Sequence, residues 1–125
     1  KFTVHLIHQS HYDIGYTDTQ STVMESQLSF IDAALELCTL TDDWDDASRF
    51  RWNIEATGPP KRWLLPRPAT AREELKRRVA DGRIEVHALP FSMHTEAYSM
   101  DELARQLELA GELRREHGIE IVSAR

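Results

Sequence analysis

The stretch TVHLIHQSHYDIGYTD, residues 3–18, joins a strand pattern directly to a cluster of polar side chains. Residues 3–8 alternate between apolar and polar types and are rich in β-branched side chains, which predicts a first strand. From Thr19 onward the apolar residues follow a helical period. The polar cluster therefore lies in a strand-to-helix loop, which is where α/β proteins carry their functional residues.

The remaining sequence repeats this alternation. Further strands are predicted over 49–55, 83–88 and 119–123, and S/T-x-x-E capping boxes predict helix starts at Thr22, Thr70 and Ser99. The last helix is expected to run from Ser99 to His117. The fold class is therefore α/β, a parallel β-α-β-α-β-α-β unit. A small open sheet and half of a closed barrel both fit this order, and a final strand with nothing after it favours the half barrel.

Composition excludes several classes of protein. The chain has 125 residues, a net charge of −6 and one cysteine. An acidic chain without a basic cluster disfavours a nucleic-acid partner, and a single cysteine excludes an intrachain disulfide. No apolar run reaches the length of a membrane span, and no signal region precedes the first strand, so a cytoplasmic location is the default expectation. The positive charges of residues 61–78 fit a solvated helix face.

His11 and Asp13 are the candidate metal ligands. Residues i and i+2 of an extended chain point the same way, so an imidazole nitrogen and a carboxylate oxygen can converge on Zn²⁺. Gly15 would let the chain turn away, and Tyr16 offers an aromatic face to a sugar. The alternative is a histidine that donates to a carboxylate at a strand end. The other polar side chains are expected to be structural or supporting: His5, His8 and Asp18, the last as a helix cap.

The same residues carry a family resemblance. Val4–Tyr16 resembles the opening of the N-terminal catalytic domain of glycoside hydrolase family 38, the α-mannosidases, in which a strand is followed by H-S-H-x-D-P-G-W. Ser10-His-Tyr-Asp-Ile-Gly-Tyr16 matches most of that motif. Residues 50–63 and 82–97 resemble later family segments more loosely. Gln9, Ile14, Tyr16 and Phe91 depart from the family pattern, which indicates a divergent member whose sugar need not be mannose.

The resemblance implies a zinc-dependent retaining glycosidase. It places zinc on His11 and Asp13, and Tyr16 at the position of a tryptophan that stacks near the sugar. Glu55, Phe91, His94 and Glu96 are further candidate substrate-binding residues, although Glu55 could instead pair with Arg62, and His94 and Glu96 could simply be solvent-exposed. Retaining enzymes use two carboxylates about 5–5.5 Å apart. The family's nucleophile and acid/base correspond to segments after Arg125, so the chain is expected to be the first half of a seven-stranded β/α barrel.

Two other functions remain open at this stage. One is a metal-dependent carbohydrate deacetylase or amidohydrolase, although the H-x-H and D-D patterns of those enzymes are absent from the loop after the first strand. The other is a non-catalytic domain that only binds carbohydrate. A half barrel by itself would expose an unpaired strand edge, so the 125 residues alone are expected to be inactive and to associate through that edge.

Overall fold

Three short parallel strands form the sheet that positions the polar loops. A computed structural model of the chain describes residues 2–4, 6 and 8–124. The strands are β1 (Gln9–Ser10), β2 (Trp52–Ile54) and β3 (Ile84–Val86), in the order β1-β2-β3. Beyond β3, His87 forms a parallel bridge to Ser123, and the Ala88 amide donates to the Ser123 carbonyl at 2.9 Å. The order along the sheet therefore follows the order along the chain, as predicted for parallel β-α-β units.

All four predicted strands differ in extent from the observed ones, and the first and the last differ most. The first strand was predicted over 3–8, whereas β1 is Gln9–Ser10, directly after that range. Residues 5 and 7 lie outside the described residues, and so does the structural role predicted for His5. Phe2, Val4 and Leu6 are 98%, 78% and 81% exposed, so these apolar side chains have no core to pack into. The strand predicted over 119–123 is reduced to the bridge at Ser123.

Five α-helices connect and flank the strands. The long helix α1 (Gln20–Leu40) follows β1, and α2 (Gly58–Leu64) and α3 (Ala69–Ala80) lie between β2 and β3. After β3 come α4 (Met100–Gln106) and α5 (Glu108–His117). Two 3₁₀ turns are present as well, at Asp46–Ser48 and Thr95–Ala97.

Only one of the three predicted capping boxes caps a helix. Ser99 accepts from the Glu102 amide while Glu102 accepts from the Ser99 amide, which confirms the box at α4. At α1 the cap is Thr19, which accepts from the Thr22 amide, so the prediction that Thr22 starts the helix is wrong. At α3 the helix begins one residue before Thr70 and has no side-chain cap. The single final helix predicted over Ser99–His117 is divided into α4 and α5 at Leu107. The Leu107 amide donates to the Ala104 carbonyl three residues earlier, which is a 3₁₀ hydrogen bond.

The apolar face of the sheet packs under the helices. Ile54, Ile84 and Val86 are at most 1% exposed and contact buried side chains from four helices and the segment after α5. Those side chains are Ile31, Ala34, Cys38, Trp63, Leu64, Leu75, Leu113 and Ile119. Burial raises the pKa of the Cys38 thiol, which agrees with the packing role predicted for it.

The opposite face of the sheet is polar. Gln9, Asn53 and Glu85 occupy equivalent register positions on the three strands, and each is half-buried. Because side chains alternate along a strand, the residues two positions further on, His11, Glu55 and His87, continue this face at the carboxyl ends of the strands. The polar face thus leads directly into the loops that hold the candidate site.

An ion-pair network around the buried Arg78 lies at the other end of the sheet, and its carboxylates are partly exposed. Arg78 is 1% exposed and binds both carboxylate oxygens of Asp42, at 2.5 and 2.7 Å, and one of Glu74 at 2.7 Å. Arg83 also contacts Asp42, at 2.9 Å. The prediction that the positive charges of residues 61–78 lie on a solvated face is therefore wrong for Arg78, which links α3 to the end of α1.

None of the helices in the described part of the chain combines the length and the apolar character needed to cross a membrane.

Candidate functional site

His11 and Asp13 meet immediately after β1, an arrangement that fits both the predicted metal pair and the alternative of a histidine bonded to a carboxylate. His11 Nε2 lies 3.0 Å from Asp13 Oδ1. The side chain of His11 is 57% exposed and that of Asp13 is 33% exposed, so a ligand can reach the pair from solvent. Both residues line a cleft of about 430 Å³ that is walled on one side by the first turns of α1.

Glu55 lies on the other side of the His11 ring. It follows β2 directly, is only 6% exposed, and its two oxygens are 3.0 and 2.9 Å from His11 Nδ1. The Tyr12 amide donates to the same carboxylate at 2.6 Å. The hydrogen bond to Glu55 raises the pKa of His11; burial opposes this, and the charge of Asp13 adds to it. Glu55 therefore pairs with His11. The sequence had left open Arg62 as an alternative partner.

Gln27 bonds the backbone of the same loop. It was not among the site residues predicted from the sequence. It lies on α1, is 4% exposed, and donates to the His11 carbonyl at 2.9 Å while accepting from the Ser10 hydroxyl at 3.0 Å. The available signal was its position in the apolar stripe, four residues after Val23 and four before Ile31. A glutamine on the buried face of a helix requires hydrogen-bond partners, and the β1 loop provides them.

A second cleft adjoins Asp13 and gathers three more of the predicted residues. Tyr16, Phe91 and His94 line it together with Asp13, and its volume is about 370 Å³. Tyr16 is 87% exposed and Phe91 is partly buried. The loops after β1 and β3 thus meet here, as expected for neighbouring carboxyl ends in a parallel sheet. The cleft offers aromatic faces beside a carboxylate, which suits the apolar and hydroxyl surfaces of a sugar.

Of the other predicted polar residues, Asp18 lines the same cleft as His11 and Asp13, whereas Glu96 and His8 line neither cleft. Glu96 is 78% exposed and lies 3.5 Å from His94, which is 91% exposed, so the two form a surface pair. His8 precedes β1 and stacks on Phe50 with ring centroids 5.9 Å apart, at the opposite end of the strand from His11. Asp18 accepts from the Thr19 amide at 2.6 Å, beside the residue that caps α1.

The His11–Asp13 pair fits a zinc ion as half of its ligand set. Two ligands about 2.0–2.1 Å from a tetrahedral ion lie about 3.3 Å apart, close to the separation of the two atoms here. A histidine that binds metal through one nitrogen usually donates from the other to a carboxylate, and Glu55 is in that position. No cluster of three or more His, Cys, Asp or Glu side chains suited to a metal ion occurs within residues 2–4, 6 and 8–124, so the pair would need further ligands.

The fold and the site together define a class of protein. Parallel strands follow one another in chain order, and the polar and aromatic side chains gather in the loops at their carboxyl ends, which is where α/β proteins carry their functional residues. Residues 1–118 match the family model described as the glycosyl hydrolases family 38 N-terminal domain.

The chain therefore belongs to glycosyl hydrolase family 38, as its opening motif had indicated. Membership places it among glycoside hydrolases. Neither the curated proteins nor the solved structures contain a match to this chain.

Proposed function

We propose that this chain forms part of a zinc-dependent retaining glycoside hydrolase, with His11 and Asp13 as zinc ligands and the sugar bound in the adjoining cleft. The observation that carries the proposal is the meeting of His11 Nε2 and Asp13 Oδ1 at 3.0 Å, with Nδ1 of the same ring on the buried Glu55 carboxylate. Family membership supplies the reaction class, and this geometry supports the metal.

Zinc bound there would supply a positive charge to which sugar hydroxyls can coordinate. The chain's own residues would position the substrate. Tyr16 and Phe91 would contact the apolar C–H surface of a sugar ring, and His94 at the rim would hydrogen-bond to its hydroxyls. Glu55 faces His11 rather than the cleft, so we assign it to support of the ligand pair. Glu96 lies at the exposed rim.

The two carboxylates of a retaining mechanism are not assigned to residues of this chain. The resemblance places them in family segments that have no counterpart here, and Glu55 is already engaged by the His11 ring and the Tyr12 amide. We propose that the three parallel strands and the Ser123 bridge are the first four positions of a β/α barrel, with the polar face of the sheet turned inward. The strand order and the polar face both support this arrangement.

The test is hydrolysis of a panel of aryl glycosides, including an α-mannoside, by the full-length protein with added zinc and after chelation. We expect turnover that zinc restores, and a first product with the anomeric configuration of the substrate, read by proton NMR. His11→Ala should abolish the zinc-dependent turnover, whereas His8→Ala, at the other end of β1, should leave it unchanged. Product with the inverted configuration would contradict the retaining mechanism.

Acetylated sugars belong in the same panel, because they separate the deacetylase alternative. Zinc-dependent release of acetate without cleavage of any glycoside would replace the glycosidase proposal. Sugar binding without turnover of either substrate class would identify a non-catalytic domain.

A further inference from the structure

The two nitrogens of His11 face carboxylates in very different surroundings. Glu55, on Nδ1, is 6% exposed and reaches the ring with both oxygens, whereas Asp13, on Nε2, is 33% exposed at the cleft surface. A hydrogen bond is stronger where water is excluded, and a buried carboxylate has few alternative donors. When the ring carries one proton, the proton therefore belongs on Nδ1, which leaves the lone pair on Nε2.

Glu55 is itself fixed in place. The Tyr12 amide donates to its Oε2 at 2.6 Å, and Tyr12 is a neighbour of His11 on the chain, so the carboxylate bonds both the ring and the backbone of one loop. Gln27 holds that backbone from the opposite side through the His11 carbonyl. A shift of Glu55 relative to the ring would break more than one bond, and this keeps the His11–Glu55 geometry constant while the half-exposed ring faces solvent.

We propose that Glu55 is the positioning residue of the site: it holds the His11 proton on Nδ1 and so presents Nε2 to a metal ion beside Asp13. The proposal rests on the zinc site proposed above and gives Glu55 a role other than substrate contact. Partners of this kind usually change metal affinity about 10- to 100-fold when they are removed.

The experiment compares wild type, Glu55→Gln and Glu85→Gln. Glu85 is the matched control, because it lies on the same face of the sheet, is half-buried and bonds to Ser123 rather than to His11. Zinc affinity is measured by competition with a chromophoric chelator. We expect Glu55→Gln to weaken zinc binding about 10- to 100-fold and Glu85→Gln to leave it unchanged. Equal zinc affinity of Glu55→Gln and wild type would overturn the proposal.

A second readout does not depend on metal. Long-range nitrogen–proton NMR spectra of the metal-free protein report which ring nitrogen carries the proton, and His11→Ala identifies the His11 signals. Above the titration midpoint of His11, we expect the proton on Nδ1 in wild type and a mixture of the two forms in Glu55→Gln. A proton on Nε2 in wild type would overturn the proposal even if Glu55→Gln fails to fold.

The two proposals can fail separately. If wild type binds no zinc while its His11 proton is on Nδ1 and shifts in Glu55→Gln, the zinc site fails and the positioning role of Glu55 stands. If wild type binds zinc and Glu55→Gln binds it with equal affinity, the zinc site stands and the role of Glu55 fails.

Discussion

At the scale of single residues, His11 is held from three directions although its side chain is half-exposed. Glu55 bonds one ring nitrogen, Asp13 approaches the other, and Gln27 holds the backbone carbonyl. Such a ring loses little additional freedom when it binds a ligand, which is the advantage of a preorganised site. Two of the three partners, Glu55 and Gln27, are buried, at 6% and 4% exposure.

Replacement of Gln27 by leucine should destabilise the fold. Gln27→Leu keeps the volume of the side chain but leaves the His11 carbonyl and the Ser10 hydroxyl without their partner, at a cost of about 1–3 kcal/mol in the free energy of unfolding. Urea denaturation measures this cost. Gln20→Leu, at the exposed start of the same helix, is the control and should stay within about 0.5 kcal/mol of wild type. A Gln27→Leu variant as stable as wild type would show that the loop does not need this clamp.

Acid should weaken the fold through Asp42. Its hydrogen bond to Arg78 holds the pKa of the Asp42 carboxyl well below its ordinary value, so the unfolded chain takes up this proton more readily than the folded protein does. The stabilisation is complete above the ordinary pKa of an aspartate and is lost as pH falls below it.

We therefore expect the urea midpoint of wild type to fall between neutral pH and about pH 3, and that of Asp42→Asn to start lower and fall less steeply. Some slope should remain, because Arg77 and Arg78 also lower the pKa of Glu74. Parallel curves for the two proteins would contradict the assignment of the acid sensitivity to Asp42.

At the scale of elements, the sequence predicted the existence of the helices more accurately than the residues at which they begin and end. The apolar stripe of α1 and the stop of α3 at Gly82, where φ is +66°, follow from local patterns. The capping motif identified α4 correctly and misplaced the starts of α1 and α3, because S/T-x-x-E also occurs by chance inside helices. Strand limits depend on the neighbouring strand, which explains why β1 pairs later than its alternation suggested.

The site divides in the same way. His11 and Asp13 are two residues apart in the sequence, so the proximity of their side chains is local and could be predicted. The contact between His11 and Glu55 joins residues 44 positions apart and depends on the register of β1 against β2, which sequence patterns do not reveal. The role of Gln27 depends in turn on how α1 packs beside β1.

Helix α4 provides a test of the observed caps. Ser99→Ala removes the side chain that accepts from the Glu102 amide, and this should cost about 1 kcal/mol, within the usual range of about 0.5–2. Hydrogen exchange of the first-turn amides of α4 localises the loss. Thr70→Ala changes the same motif inside α3, where the threonine caps nothing, and should be neutral or slightly stabilising. A larger loss for Thr70→Ala than for Ser99→Ala would reverse the assignment of the caps.

At the scale of the whole molecule, the described part of the chain carries an exposed apolar groove. It is formed by residues of α1 together with Ser10 of β1, Trp52 of β2 and Phe50. Phe30 and Leu37 of α1 line that groove and are 43% and 41% exposed. An exposed apolar groove of this kind favours association with other chains.

We therefore expect the 125-residue chain to self-associate, with a mass by light scattering that rises with concentration. The double variant Phe30→Glu/Leu37→Glu should shift it towards the monomer, because charge in the groove opposes its burial. Leu65→Glu, at an exposed leucine away from the groove, is the control and should not change the mass. A wild-type chain that stays monomeric at all concentrations would contradict this expectation.

The central claim is a zinc ion on the pair at the end of β1. It is tested most directly by the zinc content of the purified full-length protein after equilibration with excess zinc and removal of the free ion. We expect one zinc per chain in wild type and in His8→Ala, and none in His11→Ala or Asp13→Ala. A wild-type protein without zinc, or a His11→Ala variant with a full equivalent, would contradict the account.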